Sequence, residues 1–414
     1  IATITITEHN FNAADVRAAI AASLNGQGIT APVISGFSNN GDSHTATVSY
    51  TESGDYTFDI SCTDMAGNPA ETVPQDSFTI DLDKPSITIS GLEKANKDIV
   101  RPVIEVKDNN YDGTKVNITL KGTKHPEKDL TGSRTQIELG ERVNIADFAH
   151  KEDVDDIYTL TVKAADKAGN TQEESYTFSV NRFGSVYTME EDTEKLIENF
   201  YTNNPQELVI TETNTDELQF QKITCSKDGE LYTMEEGQQY DVEEAGGEGS
   251  WRVYTYRIHK ENFEKDGRYT VNIYSEDKAK NSSSNQSKNK TIEFVVDKTE
   301  PTVEIKGIEN GARYTEDSRQ INIDAEDNIY LKSLTIEVLE DGAKSPKVYE
   351  FTEEQLKEKY GVVTQAVLSA NKWQTVTVRA ADAAGNEIVK DGIRILVTSN
   401  LLIQYYMNKP LFFG

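Results

Sequence analysis

Cysteine is nearly absent from this 414-residue sequence, in which only Cys62 and Cys225 occur. The repeat spacing described below places them in different domains, so no disulfide within a domain is available. We therefore interpret each cysteine as a small apolar core residue. Long apolar runs are missing too, because Lys409 and Pro410 interrupt the terminal stretch "LLIQYYMNKPLFFG" (401–414). That stretch is too short to cross a bilayer.

Basic residues are scarce: the sequence has 42 Lys and Arg residues but 70 Asp and Glu residues, which gives a net charge of −28. Binding to nucleic acid or to an anionic bilayer needs clustered cations, so this balance argues against both. Catalytic signatures are lacking as well. The five histidines are scattered, and no G-x-S-x-G, P-loop or dinucleotide glycine pattern is present. We therefore predict that the chain is not an enzyme and has no cofactor.

One short motif is repeated four times, as "DMAGN" (64–68), "DKAGN" (166–170), "DKAKN" (277–281) and "DAAGN" (382–386). Each copy follows a run in which every second residue is apolar or small, such as "YTLTVKAAD" (158–166), and precedes a second strand-like run. This period of two predicts strands. The motif then forms a hairpin turn whose Asp accepts backbone hydrogen bonds and whose Gly or Asn supplies a positive φ. The structural turn residues are Asp64, Asn68, Asp166, Asn170, Asp277, Asn281, Asp382 and Asn386.

Other segments recur at the same spacing as the motif, so the repeated unit is about a hundred residues long. Strand-like runs that end in an acidic-Asn loop stand upstream of each motif, as in "VIEVKDNNY" (103–111) and "INIDAEDNI" (321–329). Many short strands with regular turns indicate β-sandwiches. We predict an all-β tandem array of four immunoglobulin-like β-sandwich domains with short helical insertions. Their borders are 1–83 (first strand missing), 84–182, 183–298 and 299–398, followed by a juxtamembrane tail (399–414).

The residues before the penultimate strands, "SGDY" (53–56), "VDDIY" (154–158) and "KDGRY" (265–269), resemble the tyrosine corner of immunoglobulin-like domains. Taken together, the chain resembles the bacterial immunoglobulin-like repeats of surface proteins from Gram-positive gut Firmicutes. The scarcity of cysteine agrees with a bacterial rather than a eukaryotic extracellular array. The resemblance implies a location on the bacterial cell surface, with membrane contact only through a C-terminal anchor beyond residue 414.

The resemblance also implies a binding function, adhesin-like, with a host protein or glycan as partner. Some similar proteins bind antibody variable domains as superantigens, so immunoglobulin is the first named candidate. Two alternatives remain. The array is a structural stalk that presents a missing N-terminal head domain, or it is an accessory region of a carbohydrate-active enzyme.

The first domain contains a private segment, "NFNAADVRAAIAASLNGQG" (10–28). Asn12 as a cap, Gly26 as a stop and a stripe of apolar residues at every fourth position predict a helix over residues 13–24. This helix either packs on the sandwich in place of a strand connection or faces a partner. In the second case the partner meets Arg17, Ala18 and Ala21.

Two other segments carry candidate sites. In the third domain a short helix is predicted over 191–201, and Trp251 and Tyr254 belong to an aromatic cluster, half of it core, that could form a partner-binding platform. In the second domain Asp108, Asp112 and Asp166 are weak candidates for Ca²⁺ ligands. Since acidic turns are mostly solvated caps, we predict that no metal binds there.

Overall fold

The computed structural model describes residues 1–145, 148–358, 361–368 and 370–407. Over these residues the chain forms a tandem array of four immunoglobulin-like β-sandwiches, each made of two mainly antiparallel sheets. The predicted fold class is confirmed. Contacts divide the chain into two compact units: residues 1–183 with 248–251, and residues 184–247 with the chain from 252 onward. The first two sandwiches lie in the first unit and the last two in the second.

The first sandwich consists of the strands β1 (Ala2–Thr7), β2 (Arg17–Leu24), β3 (Gln27–Gly28), β4 (Ser38–Asn40), β5 (Ser43–Val48), β6 (Gly54–Ser61) and β7 (Asp76–Ile80). Its sheets have the orders β1-β5-β4 and β3-β2-β6-β7.

The prediction of a helix over residues 13–24 is wrong. Only a 3-10 turn, Ala13–Asp15, forms there; Asn12 does cap it, accepting a hydrogen bond from the Ala14 N–H at 3.1 Å. Arg17–Leu24 is the strand β2, which pairs with β6 from Arg17↔Ser61 to Ser23↔Asp55. Pairing with β6 supplies backbone partners that a helix would have to find within itself, so the tertiary context overrides the local propensity.

The second sandwich consists of β8 (Ser86–Ser90), β9 (Ala95–Asn96), β10 (Val103–Lys107), β11 (Asn117–Gly122), β12 (Lys128–Asp129), β13 (Arg134–Ile137), β14 (Gly140–Asn144), β15 (Asp156–Ala165) and β16 (Thr171–Val180). Its sheets have the orders β13-β14-β10-β8 and β12-β11-β15-β16-β9. Alternate residues of β10, β11 and β15 are buried between them, which is the core that the period of two predicts.

The third sandwich consists of β17 (Val186–Met189), β18 (Tyr201–Thr202), β19 (Leu208–Asn214), β20 (Leu218–Lys227), β21 (Glu230–Thr233), β22 (Tyr240–Ala245), β23 (Arg252–Ile258), β24 (Gly267–Asp277), β25 (Ser282–Ser284) and β26 (Ile292–Val296). The sheet orders are β17-β19-β23-β22 and β18-β26-β24-β20-β21, and β25 pairs with β24. A helix, α1 (Glu191–Asn199), connects β17 to β18; it confirms the predicted helix and its start at residue 191, but ends before the predicted residue 201, where β18 begins.

The fourth sandwich consists of β27 (Thr302–Lys306), β28 (Arg313–Tyr314), β29 (Ser318–Glu326), β30 (Leu331–Glu340), β31 (Lys347–Phe351), β32 (Val362–Leu368), β33 (Trp373–Asp382) and β34 (Glu387–Val397). The sheet orders are β27-β29-β32 and β28-β34-β33-β30-β31. A short helix, α2 (Glu353–Glu358), precedes β32, and α3 (Leu401–Met407) follows the sandwich. Among the described residues, no helix has both the length and the apolar character that a membrane crossing requires.

Two features recur along the array. The last strand pairs in parallel with a short early strand in the second, third and fourth sandwiches, as β16 with β9, β26 with β18 and β34 with β28. In addition, a tyrosine hydroxyl donates to the main-chain oxygen four residues earlier at Tyr56, Tyr158 and Tyr269, over 2.7–2.9 Å. These bonds are those of a tyrosine corner.

Candidate functional site

The repeated turn is built by its own aspartate. In the second sandwich Asp166 is fully buried at the end of β15, and its Oδ1 accepts hydrogen bonds from the Gly169 and Asn170 N–H groups at 2.6 and 2.9 Å. Its Oδ2 accepts from Asn170 Nδ2 at 2.7 Å. Burial on its own would raise the pKa of Asp166, but the Asn170 hydrogen bonds hold it below its usual value. The carboxylate therefore stays ionised and fastens the turn.

The other three copies repeat this arrangement. Asp64, Asp277 and Asp382 each accept from the backbone N–H four residues on, at 2.8 Å in all three turns. The Asn at that position also donates its side-chain amide to the same carboxylate at 2.6–3.0 Å in each copy.

The asparagine of the motif also reaches the preceding sandwich. Asn170 Nδ2 donates to the main-chain oxygen of Asp81, just after β7, at 3.0 Å. Asn386 Nδ2 donates to the main-chain oxygen of Asp297, just after β26, at 2.9 Å. A third bond reinforces the first border, since Asn110 Nδ2 donates to Asp81 Oδ2 at 2.8 Å. The motif is thus both a hairpin turn and a fastening between successive sandwiches.

At each of these two borders three aspartates converge. Asp81, Asp108 and Asp166 form one cluster, and Asp297, Asp327 and Asp382 form the other, with one carboxylate oxygen of each residue within 4.8 Å of the others. We call these the first and second border clusters. In each cluster the first residue follows the last strand of one sandwich, and the other two come from the next sandwich, one from the loop after its third strand (β10 or β29) and one from its motif turn.

The electrostatics of the clusters are unfavourable for three ionised groups. The pKa of Asp108 lies above its usual value, chiefly because the residue is buried. The hydrogen bond from the Asn110 N–H lowers this pKa, whereas the nearby charges of Asp81 and Asp166 raise it further. In the second cluster the pKa of Asp297 is raised to about 6, chiefly by burial. The hydrogen bond from the Thr299 N–H offsets part of this increase, and the charges of Asp327 and Asp382 add to it. Carboxylate oxygens are the ligands that Ca²⁺ prefers, so these are the described residues that could hold a hard cation.

The structure thus brings together Asp108 and Asp166, two of the three candidate metal ligands named from the sequence, and replaces the third. Asp112 lies outside the cluster: it caps a 3-10 turn, accepting from the Thr114 N–H at 3.1 Å, and pairs with Lys115 at 3.6 Å. Asp81 takes its place. In the sequence Asp81 stands in the stretch "DLDKP" (81–85), which has the pattern of a linker between domains. No local pattern shows that a later loop packs against this stretch.

In the third sandwich asparagine replaces an aspartate at the matching position. Asn214 is the last residue of β19, whereas Asp108 and Asp327 directly follow the matching strands β10 and β29, and Asn214 Nδ2 donates to Asp277 Oδ2 at 3.1 Å. In the third sandwich an uncharged amide that donates a hydrogen bond therefore takes the place that a second carboxylate takes in the second and fourth sandwiches.

The residues predicted to face a partner lie on a strand instead of a helix. Arg17, Ala18 and Ala21 are exposed on β2. Arg17 donates to the main-chain oxygens of Ala14 and Val16. Because successive side chains of a strand alternate, Ala18 and Ala21 lie on opposite faces of the sheet, and the single small-residue face that a helix would have shown does not exist.

The two aromatic residues proposed as an exposed platform are both engaged within the protein. Tyr254 is buried in the core of the third sandwich, where its hydroxyl accepts from the Leu218 N–H at 3.0 Å. Trp251 lies in the first compact unit, where Nε1 donates to Asp156 Oδ1 at 2.9 Å and Lys124 Nζ lies 3.1 Å from the ring centroid. The platform interpretation is wrong for Tyr254 because β23 turns alternate side chains into the core.

Asp156 is a polar centre that sequence reasoning missed. It is fully buried at the start of β15 and accepts from the Lys124 N–H, His125 Nδ1 and Trp251 Nε1, at 2.8–2.9 Å, as well as from the Thr123 hydroxyl. Burial alone would raise the pKa of Asp156, but the hydrogen bonds from Thr123, His125 and Trp251 lower it to about 2. The only signal in the sequence was the acidic pair in "VDDIY", which the tyrosine corner accounted for.

The paired sheets, the parallel early strand and the tyrosine corner define the class: a tandem array of immunoglobulin-like β-sandwich domains. The family model described as "Bacterial Ig-like domain (group 3)" matches residues 148–182 and 252–394, a little under half of the chain. The expected likeness to bacterial immunoglobulin-like domains is therefore confirmed at the level of the domain type. No curated protein matches the chain.

Several solved structures are similar at low identity. A tetra-tandem repeat from the extending region of a large adhesion protein is 16% identical and has a TM-score of 0.35, with coverage of 96% of this chain and 95% of that one. A marsupial T cell receptor is 12% identical and has a TM-score of 0.29, with coverage of 65% of this chain and 91% of that one.

Proposed function

We propose that the chain is an extension segment of a bacterial cell-surface protein, in which immunoglobulin-like sandwiches hold another part of the protein away from the cell. The observation that carries this proposal is the side-chain fastening at two borders, Asn170 to Asp81 and Asn386 to Asp297. The match to a bacterial immunoglobulin-like domain supports an extracellular location. Attachment to the envelope through a segment beyond residue 414 belongs to the same proposal.

An extension segment has to resist bending where its domains meet. A linker without tertiary contacts leaves domains free to move, whereas each hydrogen bond across a border restricts that freedom by about 1 kcal/mol. At the first border two side-chain amides, those of Asn110 and Asn170, donate to two different oxygens of one residue, Asp81. Because Asn170 is itself fixed by Asp166, the turn that closes the second sandwich also sets the position of the chain that enters it.

Small-angle scattering of the full chain tests this role. The double variant Asn170→Ala, Asn386→Ala loses both fastenings, and we expect a broader distribution of interatomic distances than for the unmodified chain. Asn68→Ala is the matched control: the Asn68 side chain bonds to Asp64 within the same turn, so this variant loses turn bonding alone. Scattering of the double variant that equals that of the control would contradict the extension role.

We propose host-macromolecule binding as a second function, with an immunoglobulin variable domain as the first candidate among host proteins and glycans. The observation that favours it is the exposure of Arg17 and Ala21 on one face of β2, where the short side chain of Ala21 allows a partner to approach the strand closely. A pull-down from serum and a glycan array on the same chain separate the two functions, because an extension segment alone retains nothing.

If binding occurs on β2, Arg17→Glu should weaken it at least tenfold, which corresponds to about 1.4 kcal/mol. Lys167→Glu in the second sandwich makes the same charge change away from β2 and should leave affinity unchanged. Equal loss in both variants would show that net charge, not the β2 surface, governs the binding.

A further inference from the structure

The two border clusters differ in how their carboxylates are hydrogen-bonded. In the first border cluster Asp81 accepts two hydrogen bonds, from the Asp83 N–H to Oδ1 at 3.1 Å and from Asn110 Nδ2 to Oδ2 at 2.8 Å. In the second border cluster the carboxylate of the matching residue, Asp297, accepts a single hydrogen bond within the described residues, from the Thr299 N–H to Oδ1 at 3.2 Å. Asp297 is only 1% exposed. A carboxylate that is almost entirely removed from water therefore has an oxygen without a donor.

The loop that supplies the additional donor at the first border supplies none at the second. After β29 this loop contains Asn328, Ile329 and Tyr330. The Asn328 amide donates to Asp266 Oδ2 at 3.2 Å instead, and within the described part of the chain neither of the other two side chains donates to Asp297. The third sandwich has an amide in place of the second carboxylate and so has less charge to compensate. The second border cluster thus has neither of the two devices that relieve the other places.

Asp327 adds a second unsatisfied oxygen to the same cluster. Its Oδ2 accepts from the Ile329 and Tyr330 N–H groups at 2.9 and 2.7 Å, whereas its Oδ1 is buried and has no hydrogen-bond partner. One carboxylate oxygen of each member of the cluster lies within 4.8 Å of the others. Among the described residues no lysine, arginine or histidine forms an ion pair with Asp297, Asp327 or Asp382. Such a convergence of buried carboxylates is costly unless a cation from solution joins it.

The donor set indicates which cation fits. The cluster contains carboxylates and no histidine or cysteine, which disfavours Zn²⁺ and Cu²⁺ and favours a hard cation. Ca²⁺ binds oxygen at about 2.3–2.6 Å, so two oxygens on opposite sides of one ion lie at most about 5 Å apart, in agreement with the separation of up to 4.8 Å here. Mg²⁺ requires near-ideal octahedral geometry and retains several waters, so carboxylates whose positions are fixed by the fold suit Ca²⁺ better.

We propose that the second border cluster binds one Ca²⁺ ion through a carboxylate oxygen of each of its three aspartates. The ion joins Asp297, which follows the last strand of the third sandwich, to the loop of Asp327 and the motif turn of Asp382 in the fourth. It also offsets the repulsion among the three carboxylates. The first border cluster, in which the Asn110 amide already donates to Asp81, binds this ion at least tenfold more weakly.

Calorimetric titration of the full chain with Ca²⁺ tests the proposal. The chain is first freed of metal with EDTA and dialysed into about 0.15 M KCl, which screens the diffuse attraction of cations to a net charge of −28. We expect one saturable site per chain with a Kd at or below about 1 mM, and Mg²⁺ should bind at least tenfold more weakly. Bound Ca²⁺ should also slow the hydrogen exchange of the amides in residues 297–299 and 327–330, which locates the ion.

Two conservative variants remove a ligand without changing the shape of the side chain. Asp327→Asn and Asp297→Asn should each weaken Ca²⁺ binding at least tenfold. Each also takes a charge out of a crowded cluster, so neither should melt below the unmodified chain in EDTA, and this measurement shows that the variant is folded. Asp108→Asn, at the matching position of the first border cluster, and Asp317→Asn, at an exposed residue of the fourth sandwich, make the same charge change and should leave the affinity unchanged.

Three results would overturn the proposal. The first is a titration of the unmodified chain that does not saturate by about 10 mM Ca²⁺, tenfold above the weakest affinity expected of an extracellular site. The second is Ca²⁺ binding that persists unchanged in Asp327→Asn and Asp297→Asn. The third is an equal loss in Asp317→Asn, which would attribute the binding to net charge, or a loss confined to Asp108→Asn, which would place the ion at the first border.

Discussion

The side-chain amide of Asn170 donates to the main-chain oxygen of Asp81, 89 residues earlier, and Asn386 makes the same bond to Asp297, also 89 residues earlier. The identical separation shows that the border between sandwiches is repeated as faithfully as the sandwiches themselves. The repeated motif is therefore more than a local turn.

Replacement of Asn170 by alanine should loosen the first border as well as the turn. We expect the second sandwich to lose about 1–2 kcal/mol and the amides after Asp81 to exchange faster, because one donor served two acceptors. Native-state hydrogen exchange followed by mass spectrometry measures both. Asn68→Ala should cost less, since the amide of Asn68 reaches only Asp64 in a more exposed turn. Equal losses in the two variants would show that the border bond contributes nothing.

The turn of the third sandwich departs from the motif and offers a stabilising change. Lys280 adopts a φ of 65°, where the second and fourth copies have Gly169 and Gly385 at 96° and 95°. A side chain in this region costs about 1 kcal/mol, so Lys280→Gly should stabilise the third sandwich by about 0.5–1 kcal/mol.

The reverse change, Gly169→Lys, should destabilise the second sandwich by a similar amount. A Cβ at Gly169 would meet no atom within 4 Å, so only the backbone conformation is tested. Urea unfolding of the two variants beside the unmodified chain decides the matter, and a loss of stability in Lys280→Gly would contradict the prediction.

The second border cluster predicts an unusual dependence on pH. The folded pKa of Asp297 is about 6, above its ordinary value of 3.8, so its contribution to stability is fully present below 3.8 and is lost as pH rises through 6. The last two sandwiches should therefore gain on the order of 1 kcal/mol between pH 7.5 and pH 5, measured in EDTA so that no divalent cation intervenes.

Asp297→Asn removes the charge without changing the shape of the side chain, and it retains the main-chain oxygen that accepts from Asn386. We expect this variant to melt higher than the unmodified chain at pH 7.5 and to lose most of the gain at pH 5. Asp266→Asn serves as the control, because hydrogen bonds, chiefly from Thr299, outweigh burial and lower the pKa of Asp266. A lower melting temperature for Asp297→Asn at pH 7.5 would show that its charge is compensated.

Asp156 should be the costliest polar residue to remove from the first compact unit. Asp156→Ala leaves the buried Lys124 N–H without its acceptor and leaves Trp251 Nε1 with the Thr123 hydroxyl oxygen alone, so we expect a loss of about 2–3 kcal/mol. In a Trp373→Phe background the emission of Trp251 should also shift to the red. Trp251→Phe removes a single donor and should cost about 1 kcal/mol.

The pKa of Asp156 gives the same residue an acid signature. Because its folded pKa is lowered to about 2, the stability that it contributes is present above 3.8 and is lost as pH falls towards 2. Acid unfolding of the second sandwich should therefore occur at higher pH in Trp251→Phe, which lacks one of the hydrogen bonds that lower this pKa. An unchanged acid midpoint would contradict that role of Trp251.

The strands and turns of this protein were predictable because a strand with one buried face has an apolar or small residue at every second position. The helix over 13–24 failed for a related reason. Residues four apart, such as Ile20 and Leu24, share a face in a helix and also in a strand, so their spacing alone cannot separate the two. Pairing of β2 with β6 decides between them, and nothing local to residues 10–28 reports on β6.

The sites divide in the same way. The sequence by itself determined the four repeated sandwiches, the tyrosine corners of the first three and the Asp–Asn turns, because these depend on local alternation and on hydrogen bonds between residues four apart. Only the tertiary structure decided that Asp81 lies beside Asp108 and Asp166 and that Asp156 accepts a hydrogen bond from the indole of Trp251. Those contacts join segments far apart in the chain, and their energies depend on distances that no local pattern encodes.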